Sequence, residues 1–330
     1  MAAYPSAATN RQWAEWVVES LSVERERIGE WCRERDIPFD HLERLRALFI
    51  DAGMVAVAET ESWPRWVQAE VTLKPGDGGI ALLEHDLAGH VDGWRSSGLA
   101  RHFSFVHKPP GIRLRFGVVG QEFAEHLQAW LRMSVGSRWS WGCYTPEVFQ
   151  FGGGHGAELA HEFFTLESLA VLRFRECQWR GAARRDAMQF SLVLLDRCFR
   201  ALVGDQWELW DVWCGQFLTG RLDIGEIAVQ AIPAGDLERL RQELLPLFED
   251  AECLVTGMSQ KEAALWQAYE AGLSTLLPRC IAARDQGKLL WSLRQILPFW
   301  AIFHWNRMAF DERQQRRLAL LMTQVLCPKW

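Results

Sequence analysis

A chain of 330 residues with 49% hydrophobic and 24% charged side chains has the composition of a globular protein and enough length to bury a sizeable core. Its formal net charge of -6 argues against a general binder of nucleic acid or of anionic membranes, because both repel an acidic surface. The start "MAAYPSAATNRQW" lacks the basic stretch and apolar core of a secretory signal, and the most apolar run, "ILPFWAIFHW", is too short to span a bilayer, so the sequence predicts a soluble, cytoplasmic protein.

Residues 10–53 read as helices. In "NRQWAEWVVESL", Trp13, Trp16 and Val17 share a stripe that Leu21 continues; in "DHLERLRALFIDAG", Asp40 is placed to cap, Leu42, Leu45 and Phe49 share a face, and Gly53 reads as a stop. The period then changes from helical to alternating. Val67, Ala69, Val71 and Leu73 alternate with polar positions before a Pro-Gly-Asp-Gly-Gly turn, which predicts a strand. A helix over about 79–97 leads to "FSFVHKPPGIRLRFGV", two strands joined at Pro109-Pro110-Gly111. Ile112, Leu114 and Phe116 fall on one face of the second strand, so Arg113 and Arg115 fall together on the other, either as solvated charge or as part of a site. The helix "QEFAEHLQAWLRM" and a short strand ending near Tyr144 follow, and helices are predicted near 155–178, 186–217, 236–249, 259–275 and 311–326. Strands early and helices late give an α+β class: antiparallel sheet elements in the N-terminal half packed with a mainly helical C-terminal half. No repeat, low-complexity tract or linker breaks the chain.

The eight cysteines show neither CxxC pairs nor zinc-ligand spacing, which predicts reduced, buried thiols and no metal. Eighteen tryptophans exceed ordinary use; they can fill the core or line a groove for an extended, partly apolar ligand. Gly152 to Gly154 precede a predicted helix, where bare backbone amides could meet an anion or a carbonyl oxygen, or simply form a strand-to-helix turn; no Gly-Lys-Ser/Thr follows to make a phosphate loop. In "FWAIFHWNRMAFDE", His304 and Arg307 share a helix face among large apolar residues, so His304 is either a hydrogen-bonded core residue or a proton-transfer group suited to neutral pH. No Ser-His-Asp order, HExxH or GxGxxG is present, which leaves hydrolase, zincin and dinucleotide readings without support.

Taken together, "FSFVHKPPGIRLRF", "YTPEVFQFGG…FTLES" and "HWNR" resemble, in order and separation, the motifs of the thiopeptide-type bacteriocin biosynthesis domain. This is the elimination domain of class I lanthipeptide dehydratases and their stand-alone relatives. The resemblance covers roughly residues 64–326 and implies that 61–330 is one such domain, with 1–60 a helical extension. Arg113 and Arg115 match the family's RLR pair, and Glu147 matches the glutamate of its YxPExxRYGG motif. The sequence departs at Ile112, where the family has histidine, at Gln150, where it has arginine, and at Phe151, where it has tyrosine.

Elimination enzymes of this family remove a glutamyl ester from a peptide Ser or Thr, with arginines holding the departing glutamate. A guanidinium lost at Gln150 weakens a dicarboxylate site. The resemblance therefore favours the pyridine synthase branch, which joins two dehydroalanines of an azole-bearing peptide by a formal [4+2] cycloaddition and expels water and the leader peptide. On that reading His304, Tyr144, Glu147, Arg113 and Arg115 are catalytic, and Gln150, Gly152, Gly153, Asn306 and Arg307 bind substrate. Glutamate elimination is the alternative, and an inactive leader-binding scaffold the second alternative. No cofactor is implied, since both reactions are redox-neutral. The implied partner is a ribosomally made precursor peptide with its leader, together with other enzymes of the same pathway. "RFRECQWRGAARR" carries Arg173, Arg175, Arg180, Arg184 and Arg185; it reads either as a solvated helix end or, at Arg180, Arg184 and Arg185, as a patch for an acidic leader.

Overall fold

The alternating segments and the helical ones fold as their periods predict, into an α+β protein. Its computed structural model describes residues 10–62, 65–72, 79–118, 120, 122–183, 185–217, 233–250, 253–254 and 256–328. The backbone divides into two units, Met1–Trp63 and Pro64–Trp330. No helix among the described residues is long and apolar enough to cross a membrane.

The first unit holds helices α1 (Asn10–Ser20), α2 (Ile28–Glu34) and α3 (Phe39–Ser62). Val17, Ile28, Cys32, Ile37 and Leu42 form its core, against which Trp13 and Trp16 pack, their rings edge to face with each other at 5.0 Å. Two expectations are corrected here. Asp40 lies inside the first turn of α3 instead of capping it, and α3 runs on through Gly53 to Ser62. The residues after Gly53, "MVAVAETES", are mostly good helix formers, and one interior glycine costs only about 1 kcal/mol against them.

The second unit is built on a four-stranded antiparallel sheet. Strands β1 (Arg65–Thr72), β2 (Ala100–Lys108), β3 (Gly111–Val118) and β4 (Trp139–Gly142) lie in the order β2-β3-β1-β4. Leu73 and the 75–78 part of the predicted turn lie outside the described residues. Gly111 closes the hairpin where β3 meets β1: an added Cβ would lie 1.7 Å from the Val71 carbonyl oxygen, so no side chain fits. Phe103, Phe105, Leu114 and Phe116 are fully buried on one face, under helices α4 (Gly79–Ser96) and α5 (Phe123–Val135). There the Phe116 ring lies 4.8 Å from Phe123 and 5.7 Å from Trp94. Each of these rings contributes about 1.5–3 kcal/mol by burial, which fixes the face and with it the register.

Helix α6 (Gly154–Trp179) packs against the sheet through Thr165, whose Oγ1 accepts the Phe103 N–H at 3.0 Å. Buried around most of its circumference, it is the central helix of this unit. The unit continues with α7 (Ala187–Val203), α8 (Gln206–Cys214), α9 (Ala234–Glu249), α10 (Gln260–Asp285), α11 (Leu293–Arg307) and α12 (Glu312–Val325), of which α10 and α11 pack along α6. The segment predicted as one helix over 186–217 is two helices and a short 3-10 turn, because Asp205 starts α8 by accepting the Glu208 N–H at 2.9 Å. The helix predicted over 259–275 extends to Asp285, past Pro278, because Leu276, Cys280 and Ala283 continue its buried stripe.

The tryptophans divide. Trp213, Trp266, Trp300 and Trp305 are core, whereas Trp141, Trp179 and Trp207 are exposed. The thiols divide too: Cys32, Cys177, Cys198 and Cys280 are buried, but Cys143 and Cys253 are exposed, contrary to the expectation of uniformly buried cysteines.

Candidate active site

The polar face of the sheet carries the two arginines, and the register decides what each one meets. Arg113 stands opposite Glu70 and Arg115 opposite Gln68. Arg113 Nε lies 3.2 Å from Glu70 Oε1 in a partly exposed ion pair. Arg115 Nε donates to Gln68 Oε1 at 3.0 Å, and its guanidinium carbon sits 4.1 Å over the Tyr144 ring. Burial pushes the Arg115 guanidinium down from its ordinary value, while Tyr144 and Glu147 pull it back up. The alternation places both arginines on one face, but only Arg115 is turned to Tyr144.

Tyr144 follows β4, and its hydroxyl is the hub of a hydrogen-bonded group. It lies 3.0 Å from Glu147 Oε2 and 2.8 Å from His161 Nε2. His161 stands in the second turn of α6, where Nδ1 lies 2.6 Å from the Ala157 carbonyl oxygen. A carbonyl only accepts, so Nδ1 holds the proton and Nε2 presents its lone pair to Tyr144. Burial holds His161 at about 3, so the ring stays neutral. Burial, with the Glu147 carboxylate next, raises the Tyr144 phenol far above its ordinary value, which keeps the hydroxyl protonated. That hydroxyl therefore has one proton for two acceptors. The hydroxyl can direct that proton to Glu147 or to His161, which makes it the hydrogen-bonding centre of the group.

Aromatic rings enclose this group. Trp66 lies 4.9 Å from Tyr144 and 4.4 Å from His161. Phe151 packs on Phe164 and Phe303, each at 5.4 Å. Among the described residues no three His, Cys, Asp or Glu side chains gather as a metal site.

A second, fully buried network joins α6 to α11. His304 Nδ1 lies 2.8 Å from Glu167 Oε2 and its Nε2 3.0 Å from Ser191 Oγ. Arg307 Nη1 forms an ion pair with Glu167 Oε1 at 2.7 Å, aligned too obliquely for a hydrogen bond, and its Nε donates to Ser168 Oγ at 2.9 Å. The Arg307 guanidinium lies 4.4 Å over the Phe164 ring. Burial pushes Arg307 down, and Glu167, Arg115, Tyr144 and Glu147 all act on it, so its charge is felt in the Tyr144 group.

The structure thus brings Arg115, Tyr144 and Glu147 together, with Arg307 within electrostatic reach. Arg113 stays at the edge with Glu70. His304 lies apart from the Tyr144 group, with both ring nitrogens engaged inside the buried network. Asn306 is turned to α12, where its Oδ1 accepts from Gln315 Nε2 at 3.1 Å. Gln150 lies half-buried in the turn that follows Glu147.

Gly152 and Gly153, with φ of 86° and 93°, are buried turn glycines, and their amides already donate to Phe149 and Val148 inside the turn. The arginine run forms no single patch. Arg180 pairs with Glu176 at 3.1 Å; Arg185 is buried and donates to the Leu254 carbonyl at 2.6 Å; Arg184 lies outside the described residues.

Sequence reasoning missed His161, Trp66, Gln68 and Glu167. Glu167 and Ser168 end the "FTLES" stretch already quoted, and Trp66 and Gln68 fall on the polar side of the β1 alternation, so those signals were present. His161 had none: nothing in its spacing from Tyr144 announces a contact.

The family described as "Lantibiotic biosynthesis dehydratase C-term" matches residues 66–326. Among the curated proteins no relative matches this sequence. Among solved structures, the tRNA-dependent lantibiotic dehydratase MibB from Microbispora sp. 107891 is similar, with a TM-score of 0.59 and 15% identity over 79% of this chain. This chain spans only 28% of MibB. The pyridine synthase TbtD from thiomuracin biosynthesis is similar with a TM-score of 0.54 and 14% identity, over 79% of this chain and 97% of TbtD. At these identities the likeness establishes a shared fold.

Proposed function

The chain belongs to the lantibiotic biosynthesis dehydratase C-terminal family, and from that premise we propose that it is a pyridine synthase-type enzyme acting on a ribosomally made, leader-bearing peptide. It joins two dehydroalanines of an azole-containing substrate by a formal [4+2] cycloaddition, then expels water and the leader. One observation carries this reading: the Tyr144 hydroxyl bridges Glu147 and His161 beside the Arg115 guanidinium. Ring formation needs an amide turned into its iminol and a hydroxyl removed as water, both of which are proton transfers at one oxygen. Tyr144 is the hydrogen-bond donor and acceptor at that oxygen, Glu147 and the neutral His161 fix the direction of its hydroxyl, and Arg115 stabilises negative charge developing there. The aromatic enclosure around Trp66 holds the two alkenes together, where proximity contributes up to about 7–11 kcal/mol.

Elimination of a glutamyl ester makes a different demand, guanidiniums ready for two carboxylates. Here Arg113 is paired with Glu70, Arg115 with Gln68 and the Tyr144 ring, and Arg307 with Glu167. Gln150 adds no charge.

Incubation with a dehydrated, azole-bearing peptide, followed by mass spectrometry, tests the reading. We expect loss of leader and water with ring closure, slowed by about 10²–10⁴-fold in Tyr144→Phe. Release of glutamate from a glutamylated peptide, without ring formation, would overturn it.

A further inference from the structure

A pocket of about 570 Å³ opens between α4, α6 and α10, on the side of His102. Its floor is apolar, from Leu166, Leu169, Leu265 and Leu276, and its rim is basic, from Arg95, Arg101, Arg173 and Arg279. Asp92 and Glu162 are the two carboxylates in its lining, which leaves a surplus of guanidinium charge. Arg173 pairs with Asp92 at 2.8 Å, and Arg279 and Arg101 share Glu162, Arg101 also meeting Glu158. Arg95 is exposed at the end of α4 and has no carboxylate partner among the described residues.

His102 gives the independent sign of a ligand. It lines the pocket and is 2% exposed, yet its Nδ1 has no hydrogen-bond partner among the described residues. A buried polar atom left unpaired costs about 1–3 kcal/mol, which a hydrogen-bonding ligand would recover. Arg101, Arg95 and Arg279 all act on the His102 ring, so the surplus charge converges on the same place. The ring also stacks on Trp66 at 6.0 Å and lies 6.1 Å from His161. One layer of aromatic rings therefore separates the pocket from the Tyr144 group.

We propose that this pocket is a second binding site, which takes a peptide segment carrying carboxylate and apolar side chains. Carboxylates are received by Arg95 and by His102 Nδ1, in the field of the carboxylate-paired Arg101 and Arg279, and apolar side chains by the leucine floor between α6 and α10. Its volume is that of a ligand site rather than of a packing defect. The occupant's being a peptide rests on the proposed function; the carboxylate chemistry rests on the pocket alone. Of the "RFRECQWRGAARR" run only Arg173 lines this pocket; Arg180 and Arg185 do not.

Fluorescence polarisation of a fluorescein-labelled Leu-Glu-Asp-Leu-Glu peptide on the full chain tests the assignment. We expect Arg95→Gln to weaken binding several-fold and Arg95→Gln/Arg279→Gln at least about tenfold, as charge-assisted hydrogen bonds are lost. The single variant removes an exposed side chain with no carboxylate partner among the described residues and so leaves the fold intact. A Leu-Gln-Asn-Leu-Gln peptide should not bind, and affinity should fall as salt rises. Equal affinity in wild type and both variants would overturn the proposal, as would binding of free L-glutamate without binding of the peptide. The assay reads binding and no turnover, so its failure is distinct from a failure of the ring-forming reading.

Discussion

Replacing Glu167 with Leu removes the single carboxylate that faces both Arg307 and His304 in the interior. All three side chains are fully buried, with Arg307 Nη1 at 2.7 Å and His304 Nδ1 at 2.8 Å from the carboxylate oxygens. Leu has a similar volume, so the main loss is electrostatic: Arg307 is left as an uncompensated buried charge. A unit pair near 4 Å interacts by about 4 kcal/mol at an effective dielectric of 20, and breaking buried pairs on one side costs about 3–5 kcal/mol. Followed by tryptophan fluorescence, the urea midpoint should fall by about 1–2.5 M, taking slopes of about 2–3 kcal/mol/M. Glu167→Leu combined with Arg307→Met removes both charges and should be less destabilised than Glu167→Leu alone. A loss under about 1 kcal/mol in the single variant, or a double variant as unstable as the sum of its parts, would refute the reasoning; the second result would mean that Arg307 does not depend on Glu167.

Two further outcomes follow from the same geometry. Burial holds His102 and His161 at about 3, below the ordinary value of 6.5, so unfolding lets both take up protons as pH falls through about 6.5. Each then removes about 1.4 kcal/mol of stability per pH unit down to about 3, whereas Asp196, pushed up to about 6 by burial, is protonated first in the folded state and offsets one of them between about 6 and 3.8. Stability should therefore fall by about 1.4 kcal/mol per pH unit over that window, a urea midpoint lower by about 0.5–0.7 M per unit, and a midpoint equal at pH 7.5 and pH 5 would refute the assignment of neutral, buried imidazoles. The two sheet arginines should separate in kinetics: Arg115→Gln should lower kcat about 10²–10³-fold, and Arg113→Gln, whose ion pair with Glu70 is partly exposed, only within about threefold. Equal losses would return Arg113 to the reacting group.

Much of this molecule is legible in its periods. Alternation over 112–116 predicted the strand and its two faces, and the helical stripes predicted most of the C-terminal half, because side-chain direction follows from local backbone geometry alone. Two helices run past the ends expected of them: α3 because helix-forming residues follow Gly53, and α10 because Leu276, Cys280 and Ala283 continue its buried stripe past Pro278. Three motifs in order gave the family. The same period-two argument that pairs Arg113 with Arg115 on one face also pairs Trp66, Gln68 and Glu70 on β1. What it cannot supply is register. Only the pairing of β1 with β3 sets Gln68 against Arg115 and Glu70 against Arg113, so one guanidinium turns to Tyr144 and the other is tied to a carboxylate. Only the packing of α6 on the sheet brings His161 to the Tyr144 hydroxyl, and only α11 beside α6 closes His304 into a buried network. Contacts between residues far apart in the chain depend on how whole elements pack, and no local pattern encodes that distance.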